Sequence, residues 1–337
     1  MDQFDVAIVG VLGSASAYHA ALKGAKVIAV EKFELGHVYG ASHDTSRIIR
    51  TSYGASKYEA TGQKLVTITG GLVFLPKEGP IPASGFSTSL DANDVPCELL
   101  DAREVKRRWP HFQISDKVET VCTADTGIVH ASRSSGKGVV IETSKGRFHP
   151  AKVILTTDVW TNKLFTPLGI NISLSLMQEQ ATYFKLTNVP AFEADRFPVW
   201  IWGGDMSFYG FPCYGEPTIK ASWDTSNYFM APEQRTYVHS PQLLEQLESF
   251  LGQFIPDKGR ETLRTVTCQY TITPDRQFIL SPLEKHRDII VGLGAAHAFK
   301  FAPAMGRILA ELAIDGKTSD DISGFGMPQK VADGSKL

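Results

Sequence analysis

The sequence is short of several things, and each shortage removes a class of function. No apolar run approaches the eighteen residues of a membrane-spanning helix, and the opening Met1-Asp2-Gln3 lacks the basic region and apolar core of a signal peptide. Charge of one sign is also lacking. Thirty-four Lys and Arg against 36 Asp and Glu leave a net charge of −2, so nothing electrostatic recommends nucleic acid or an anionic membrane as partner. There are only four cysteines (Cys97, Cys122, Cys213, Cys268), with no C-x-x-C pair and no metal-ligand spacing to a histidine. That pattern fits a reducing compartment, without structural disulfides or a bound metal. Internal repeats and low-complexity tracts are absent too. What remains is a chain of 337 residues, long enough for two domains.

The most structured stretch is at the start. Phe4 to Val9 is a nearly continuous apolar run, as a parallel strand buried on both faces requires. Ser14 to Lys23 is rich in small, helix-compatible residues, and Lys26 to Val30 is a second apolar strand followed by Glu31 and Lys32. Glu31 lies 21 residues after Gly10, the spacing of a dinucleotide-binding βαβ unit. In such a unit the helix N-terminus receives a pyrophosphate and the acid binds an adenosine ribose. The glycine pattern is shortened: Gly10-Val-Leu-Gly13 runs directly into Ser14-Ala15, as if two residues of Gly-x-Gly-x-x-Gly were missing. A βαβ unit that binds no nucleotide remains the alternative at this point.

Further on, Phe33 to Arg50 is a polar loop ending in Ser46-Arg47-Ile48-Ile49-Arg50, which either lines an anion or cofactor or is solvated. Leu65 to Leu75 reads as strand, bend, strand, and Pro76 to Ser89 as a proline- and glycine-rich loop. Asp101-Ala-Arg-Glu104 is a capping box for a short helix stopped by Pro110, with Lys106-Arg107-Arg108 on its wet face. Val118 to His130 reads as a strand pair turning at Asp125-Thr-Gly127, Gly138 to Gly146 as a hairpin, and Val153 to Thr157 as a parallel strand. Ser173 to Phe184 and Ile201 to Ser222 are strand-like and flanked by aromatics (Trp200, Trp202, Phe208, Tyr209, Phe211, Tyr214), a plausible pocket wall. Gln242 to Phe254 is an amphipathic helix, and Asp288 to Gly294 with Ala304 to Ile314 is a closing strand and helix. The chain ends Ser335-Lys336-Leu337, the tripeptide address read by the peroxisomal import receptor, which predicts a peroxisomal location.

Two late segments carry the chemistry: Cys268-Gln-Tyr270-Thr-Ile-Thr-Pro274-Asp275 and Gly294-Ala-Ala-His297-Ala298-Phe299-Lys300. Together with the N-terminal unit, Ser42 to Arg50 and Leu100 to Pro110, they resemble in order and spacing the monomeric sarcosine oxidase family of flavoproteins. That family includes N-methyltryptophan and pipecolate oxidases and the fungal amadoriases. The resemblance implies an α/β fold: a glutathione-reductase-like, FAD-binding Rossmann domain (1–75, 117–168 and 268–337) and an α+β substrate domain built on a mixed sheet (76–116 and 169–267). It also implies a monomer that oxidises a secondary amine to an imine, with dioxygen reduced to hydrogen peroxide.

The resemblance also implies roles, residue by residue. Cys268 matches the cysteine linked through sulfur to FAD; the alternative is a buried core thiol. Arg50 and Lys300 match the cations holding the substrate carboxylate, and charge-assisted donors suit a buried carboxylate. Arg47 and Ser46 match positions beside the flavin ring, His297 faces it, and Tyr270 lies on the substrate side. Lys220 matches the lysine that activates oxygen; on the residues alone it is a surface lysine. Gly10, Gly13, Glu31, Lys32, Ser42, Ala298 and Phe299 complete the implied cofactor contacts.

Departures from the family pattern qualify this. Residues are missing at the first glycine turn, between Lys57-Tyr-Glu59 and Thr61, and between Ser132-Arg-Ser134 and Gly136, each beside the expected flavin site, which predicts weaker FAD binding. Gly-His-Gly becomes Ala296-His297-Ala298, Gly-Ala-Trp becomes Asp158-Val-Trp160, and a position often His becomes Asp224. The last change implies a secondary amino acid larger than sarcosine. The alternatives are an amadoriase and, from another class, a flavin-free binding protein that kept the fold.

Overall fold

The computed structural model describes residues 4–10, 13–30, 46–50, 66–130, 149–224 and 227–328. In chain order, β1 (Val6–Val9), α1 (Gly13–Leu22) and β2 (Val27–Val30) open the fold, followed by β3 (Ser46–Arg50), β4 (Val66–Ile68) and β5 (Gly71–Pro76). Next come α2 (Ala83–Asp91), β6 (Glu98–Leu100), α3 (Ala102–Arg108), β7 (Val118–Thr123), β8 (Thr126–His130), β9 (Lys152–Leu155) and α4 (Thr161–Phe165). The middle holds β10 (Ser175–Lys185), β11 (Val199–Gly203), β12 (Ser207–Phe211), β13 (Thr218–Asp224), β14 (Phe229–Met230) and α5 (Pro241–Phe254). The chain closes with β15 (Thr262–Ile272), β16 (Ile279–Pro282), β17 (Ile289–Leu293) and α6 (Ala302–Ile314).

These strands form three sheets among the described residues. The first, ordered β16-β17-β9-β1-β2, is parallel except for the β16–β17 pair. Val6, Ala7, Ile8, Ile28, Ile154 and Ile290 are almost wholly buried in it, as the unbroken apolar runs require. Helices α1 and α6 pack against one another, and α6 buries Met305, Ile308 and Leu309 over Val6, Ile8 and Ile154. This is the expected βαβ unit, returned to by the C-terminal strand and helix.

The second sheet, of nine strands, is ordered β14-β10-β13-β12-β11-β5-β7-β6, with β15 also pairing β10. β5, β7 and β15 belong to this sheet, although the domain boundaries expected from sequence give all or part of each to the flavin domain. One face packs on α5 and α3 through Phe74, Phe112, Phe184, Phe208, Trp200 and Phe254. The third is a small antiparallel sheet, β3-β8-β4.

Several local expectations change. Val118 to His130 does not form a hairpin: β7 pairs with β5 and β6, while β8 pairs with β3 and β4. At the turn a buried Thr123–Thr126 hydroxyl contact of 2.8 Å lets the chain change sheets. The stretch Pro76 to Ser89 is not all loop, because α2 begins after an extended Pro82 and seats Ala83, Phe86 and Leu90 against Val73, Leu75 and Val121. The capping box is half made. Asp101 Oδ1 accepts from the Glu104 amide at 2.8 Å, but the Glu104 carboxylate turns instead to Arg107 and Arg108, which hold it down at about 2. The Gly138 to Gly146 hairpin and Ser335-Lys336-Leu337 lie outside the described residues.

Candidate active site

The cofactor end of the site is built at the carboxyl end of β1. Gly10 leaves the strand at φ 101°, and a Cβ there would stand 2.2 Å from the Thr156 carbonyl oxygen. Only glycine meets both demands. A Cβ on Gly13 would stand 2.3 Å from Ile8 Cγ2, so α1 packs closely on its strand. The Gly13 amide donates to the Gly10 carbonyl at 3.0 Å, which sets the first turn of α1 at the strand end. A helix N-terminus at this place, at the carboxyl end of parallel strands, is a cradle for a dinucleotide's phosphates. The residues present therefore fit FAD, with Gly10 and Gly13 shaping the cradle. Glu31, Lys32 and Ser42 lie outside the described residues.

The chemical end of the site is one face of the nine-stranded sheet. Cross-strand partners share a face, and the register pairs Lys220 with both Tyr183 and Phe211, Glu179 with Cys268, Met177 with Tyr270, and Tyr209 with Ser222. Lys220 is not a surface residue. It is 5 % exposed, with Nζ 4.9 Å from the Phe211 ring centroid and 5.8 Å from that of Tyr183. The Tyr183 ring is also covered by Arg264 at 3.9 Å, itself ion-paired to Glu216. Two cations thus meet one phenol.

Tyr270 meets His297 edge-on, ring centroids 5.1 Å apart, which joins β15 to the loop after β17. Burial raises the Tyr270 phenol well above 10, and Tyr209, Cys268, Asp224 and Glu179 push in the same direction. These four groups therefore sit within electrostatic reach of Tyr270. Glu179 is 2 % exposed, an acid in the middle of the buried β10 run. Asp224 Oδ1 is buried and has no hydrogen-bond partner among the described residues.

The loop carrying His297 is strained. Ala295 and Ala296 have φ of 40° and 77°, left-handed values that alanine rarely adopts. A 3₁₀ turn, Ala298–Phe301, follows it, with Ala298 buried and Lys300 Nζ 5.9 Å from the Phe301 ring. Strand β3, whose residues include Ser46, Arg47 and Arg50, lies against this turn. The segments carrying Arg50 and Lys300 are thus neighbours. Lys220, Cys268 and Tyr270 share the face of the sheet opposite α5, and His297 meets Tyr270 there.

Sequence reasoning missed Glu179 and an enclosed network at Asp158. Asp158 has φ 53°, and its Oδ2 accepts from Gln269 Nε2 at 2.9 Å. Gln269 Oε1 in turn accepts from Arg235 Nη1 at 2.8 Å. The one available signal for Glu179 was an acid inside an otherwise uncharged run, Ser175 to Phe184; Asp158 showed only as a departure from glycine.

Comparisons with known proteins bear on the family and the fold. The model of the FAD dependent oxidoreductase family, DAO, matches residues 121–312. The chain is 26% identical over 372 positions to a monomeric sarcosine oxidase of Bacillus sp. (strain NS-129), covering 96% of each chain. It is 27% identical over 376 positions to the peroxisomal sarcosine oxidase of Homo sapiens, covering 96% of this chain and 95% of that one. Both alignments are longer than the chain's own 337 residues, so these relatives carry residues the chain lacks. Among solved structures, NikD in its open form, titled an unusual amino acid oxidase essential for nikkomycin biosynthesis, superposes with a TM-score of 0.83 over 100% of both chains at 22% identity. Fructosyl peptide oxidase from E. terrenum gives 0.75 at 16% identity, covering 96% of this chain and 91% of that one. Likeness at these identities shows the fold alone, an FAD-binding Rossmann-type domain joined to a mixed sheet. With the family model covering more than half its length, the chain belongs to the FAD dependent oxidoreductase family.

Proposed function

We infer that the protein oxidises a secondary amino acid larger than sarcosine to its imine and reduces dioxygen to hydrogen peroxide. The observation that carries this reading is the gathering of Lys220, Cys268, Tyr270 and His297 on one face of the large sheet, with β3 against the Lys300 turn. Bound FAD would supply the two-electron chemistry. Around it, Arg50 and Lys300 clamp the substrate carboxylate by charge-assisted hydrogen bonds. Tyr270 and His297 would border the substrate, and Ser46 and Arg47 would hold the flavin ring. Lys220, held dry among aromatic rings, presents a positive charge where negative charge builds on dioxygen. Cys268 supplies the thiol for covalent attachment. The partnerless Asp224 Oδ1 is an acceptor for an N–H or O–H on a substrate larger than sarcosine.

The names of two relatives, monomeric and peroxisomal sarcosine oxidase, support the substrate class, and the second supports the peroxisomal location expected from Ser335-Lys336-Leu337. Peroxide release from purified protein tests the reaction on sarcosine, pipecolate, N-methyltryptophan and fructosyl-valine. Turnover of pipecolate or N-methyltryptophan above sarcosine is expected. Turnover of fructosyl-valine alone replaces the reading with a deglycating oxidase, and a protein that takes up no FAD ends it. Flavin colour that stays with acid-precipitated wild type and leaves Cys268→Ser tests the attachment. Import of a tagged chain into peroxisomes, lost on removing the last three residues, tests the location.

A further inference from the structure

Asp158 bears two costs at once. Its backbone is left-handed at φ 53°, where the resemblance places glycine. Its carboxylate is largely desolvated, and burial pushes it up in spite of the hydrogen bond from Gln269 and the charge of Arg235. A strained backbone and a desolvated acid persist in one residue only where the surroundings over-determine the position.

The surroundings lead to Cys268. Asp158 holds the Gln269 side chain, and Gln269, 1 % exposed, holds Arg235. Arg235 Nη2 donates to the Thr267 carbonyl at 3.3 Å, and its guanidinium lies 4.3 Å over the Tyr237 ring. The residues on either side of Cys268 are therefore both tied into the same network. In the other direction Asp158 follows Thr156, whose hydroxyl donates to the Val9 carbonyl at 2.8 Å and whose own carbonyl abuts Gly10. One short path joins the phosphate cradle to the thiol.

We propose that Asp158 is a positioning residue for Cys268, fastening β15 on both sides of the thiol to the dinucleotide sheet. Its purpose rests on the reading of Cys268 as the flavin attachment point; the fastening itself can be measured without flavin.

Asp158→Gly keeps the left-handed backbone and removes the carboxylate, while Asp158→Asn keeps an acceptor for Gln269. The full chain, prepared from riboflavin-limited cells, is treated with iodoacetamide, and alkylation is followed at each of the four free cysteines by peptide mass spectrometry. In Asp158→Gly the Cys268 rate is expected to rise about fivefold or more relative to Cys97, Cys122 and Cys213, because a released strand segment opens more often. Asp158→Asn is expected to stay within about twofold of wild type, since the hydrogen bond survives. Equal acceleration at all four cysteines, or none at Cys268, overturns the inference. In flavin-loaded protein, the share of flavin retained on acid precipitation is expected to fall in Asp158→Gly and hold in Asp158→Asn. Wild-type flavin lost wholly to the supernatant removes the attachment reading, while the alkylation ratios still decide the fastening.

Discussion

The two faces of the nine-stranded sheet both bury side chains and differ in almost everything else. On the face toward α5, Phe208 and Phe250 stack at 4.2 Å, Phe74 and Phe254 meet edge-on at 5.1 Å, and Trp200 and Phe184 are fully buried. On the opposite face Lys220, Glu179 and Tyr183 are 5 %, 2 % and 3 % exposed. Burying rings releases roughly 1.5–3 kcal/mol for each large side chain, whereas burying a charge opposes folding unless it is paired. The same strands therefore gain stability from ring packing on one face and hold buried polar and charged groups on the other.

Phe254→Ala is the strongest way to break the first face. The ring touches Phe74, Phe112, Trp200, Trp202 and Phe250, so its loss leaves a cavity that rigid neighbours do not fill. A loss of about 3–5 kcal/mol in urea denaturation is expected, with the flavin spectrum of the folded protein unchanged. A loss below about 1 kcal/mol would mean that this face collapses around cavities and is not a rigid core.

Lys220→Met breaks the second face in the opposite sense. It removes a buried cation from a ring-lined site while keeping the volume, so melting temperature is expected to hold or rise. Reoxidation of the reduced protein by dioxygen is expected to slow about 100-fold or more, the magnitude of one well-placed electrostatic group. Normal reoxidation with lower stability would make Lys220 part of the core and remove it from the chemistry.

How much of this contrast the sequence disclosed depends on distance along the chain. The βαβ unit was legible because strand, glycine turn and helix are contiguous and their periodicities are local. Helix α2 was not, since Pro82, Gly85 and three serines hide Ala83, Phe86 and Leu90 in a composition that reads as loop. β7 and β8 alternate as a hairpin would, and nothing local tells that they enter different sheets. In β13 the run Thr218 to Ser222 is buried throughout, so alternation alone could not say which side holds the chemistry. Lys220 was found by resemblance instead. Asp158 and Gln269 are 111 residues apart, and no periodicity reports such a pair.

The polar face also predicts an alkaline limit. Tyr270's folded pKa lies well above that of an exposed tyrosine near 10, so between those values the unfolded chain releases a proton that the folded one keeps. Stability is whole below pH 10 and falls above it by about 1.4 kcal/mol per pH unit for this one proton. Denaturation at pH 8 and pH 11 should show that decline in wild type and a smaller one in Tyr270→Phe. An identical decline in both would assign the alkaline limit to other groups.

The smallest effect is the most discriminating for the loop that closes over this face. Ala296 and Ala298 stand two residues apart, where the resemblance implies two glycines, but their backbones differ. Ala296 has φ 77°, so glycine there relieves a Cβ clash, and Ala296→Gly is expected to stabilise by about 1 kcal/mol. Ala298 begins a 3₁₀ turn with an ordinary backbone and packs with Met305 and Leu309. Glycine at that position adds chain entropy to the unfolded state and removes a buried methyl, so Ala298→Gly is expected to cost about 1 kcal/mol. Paired urea melts read the two signs directly. Opposite signs would establish that the strain sits before His297 and not after it. Two losses would mean that the Ala296 backbone relaxes in solution and that the loop holds His297 against Tyr270 without stored strain.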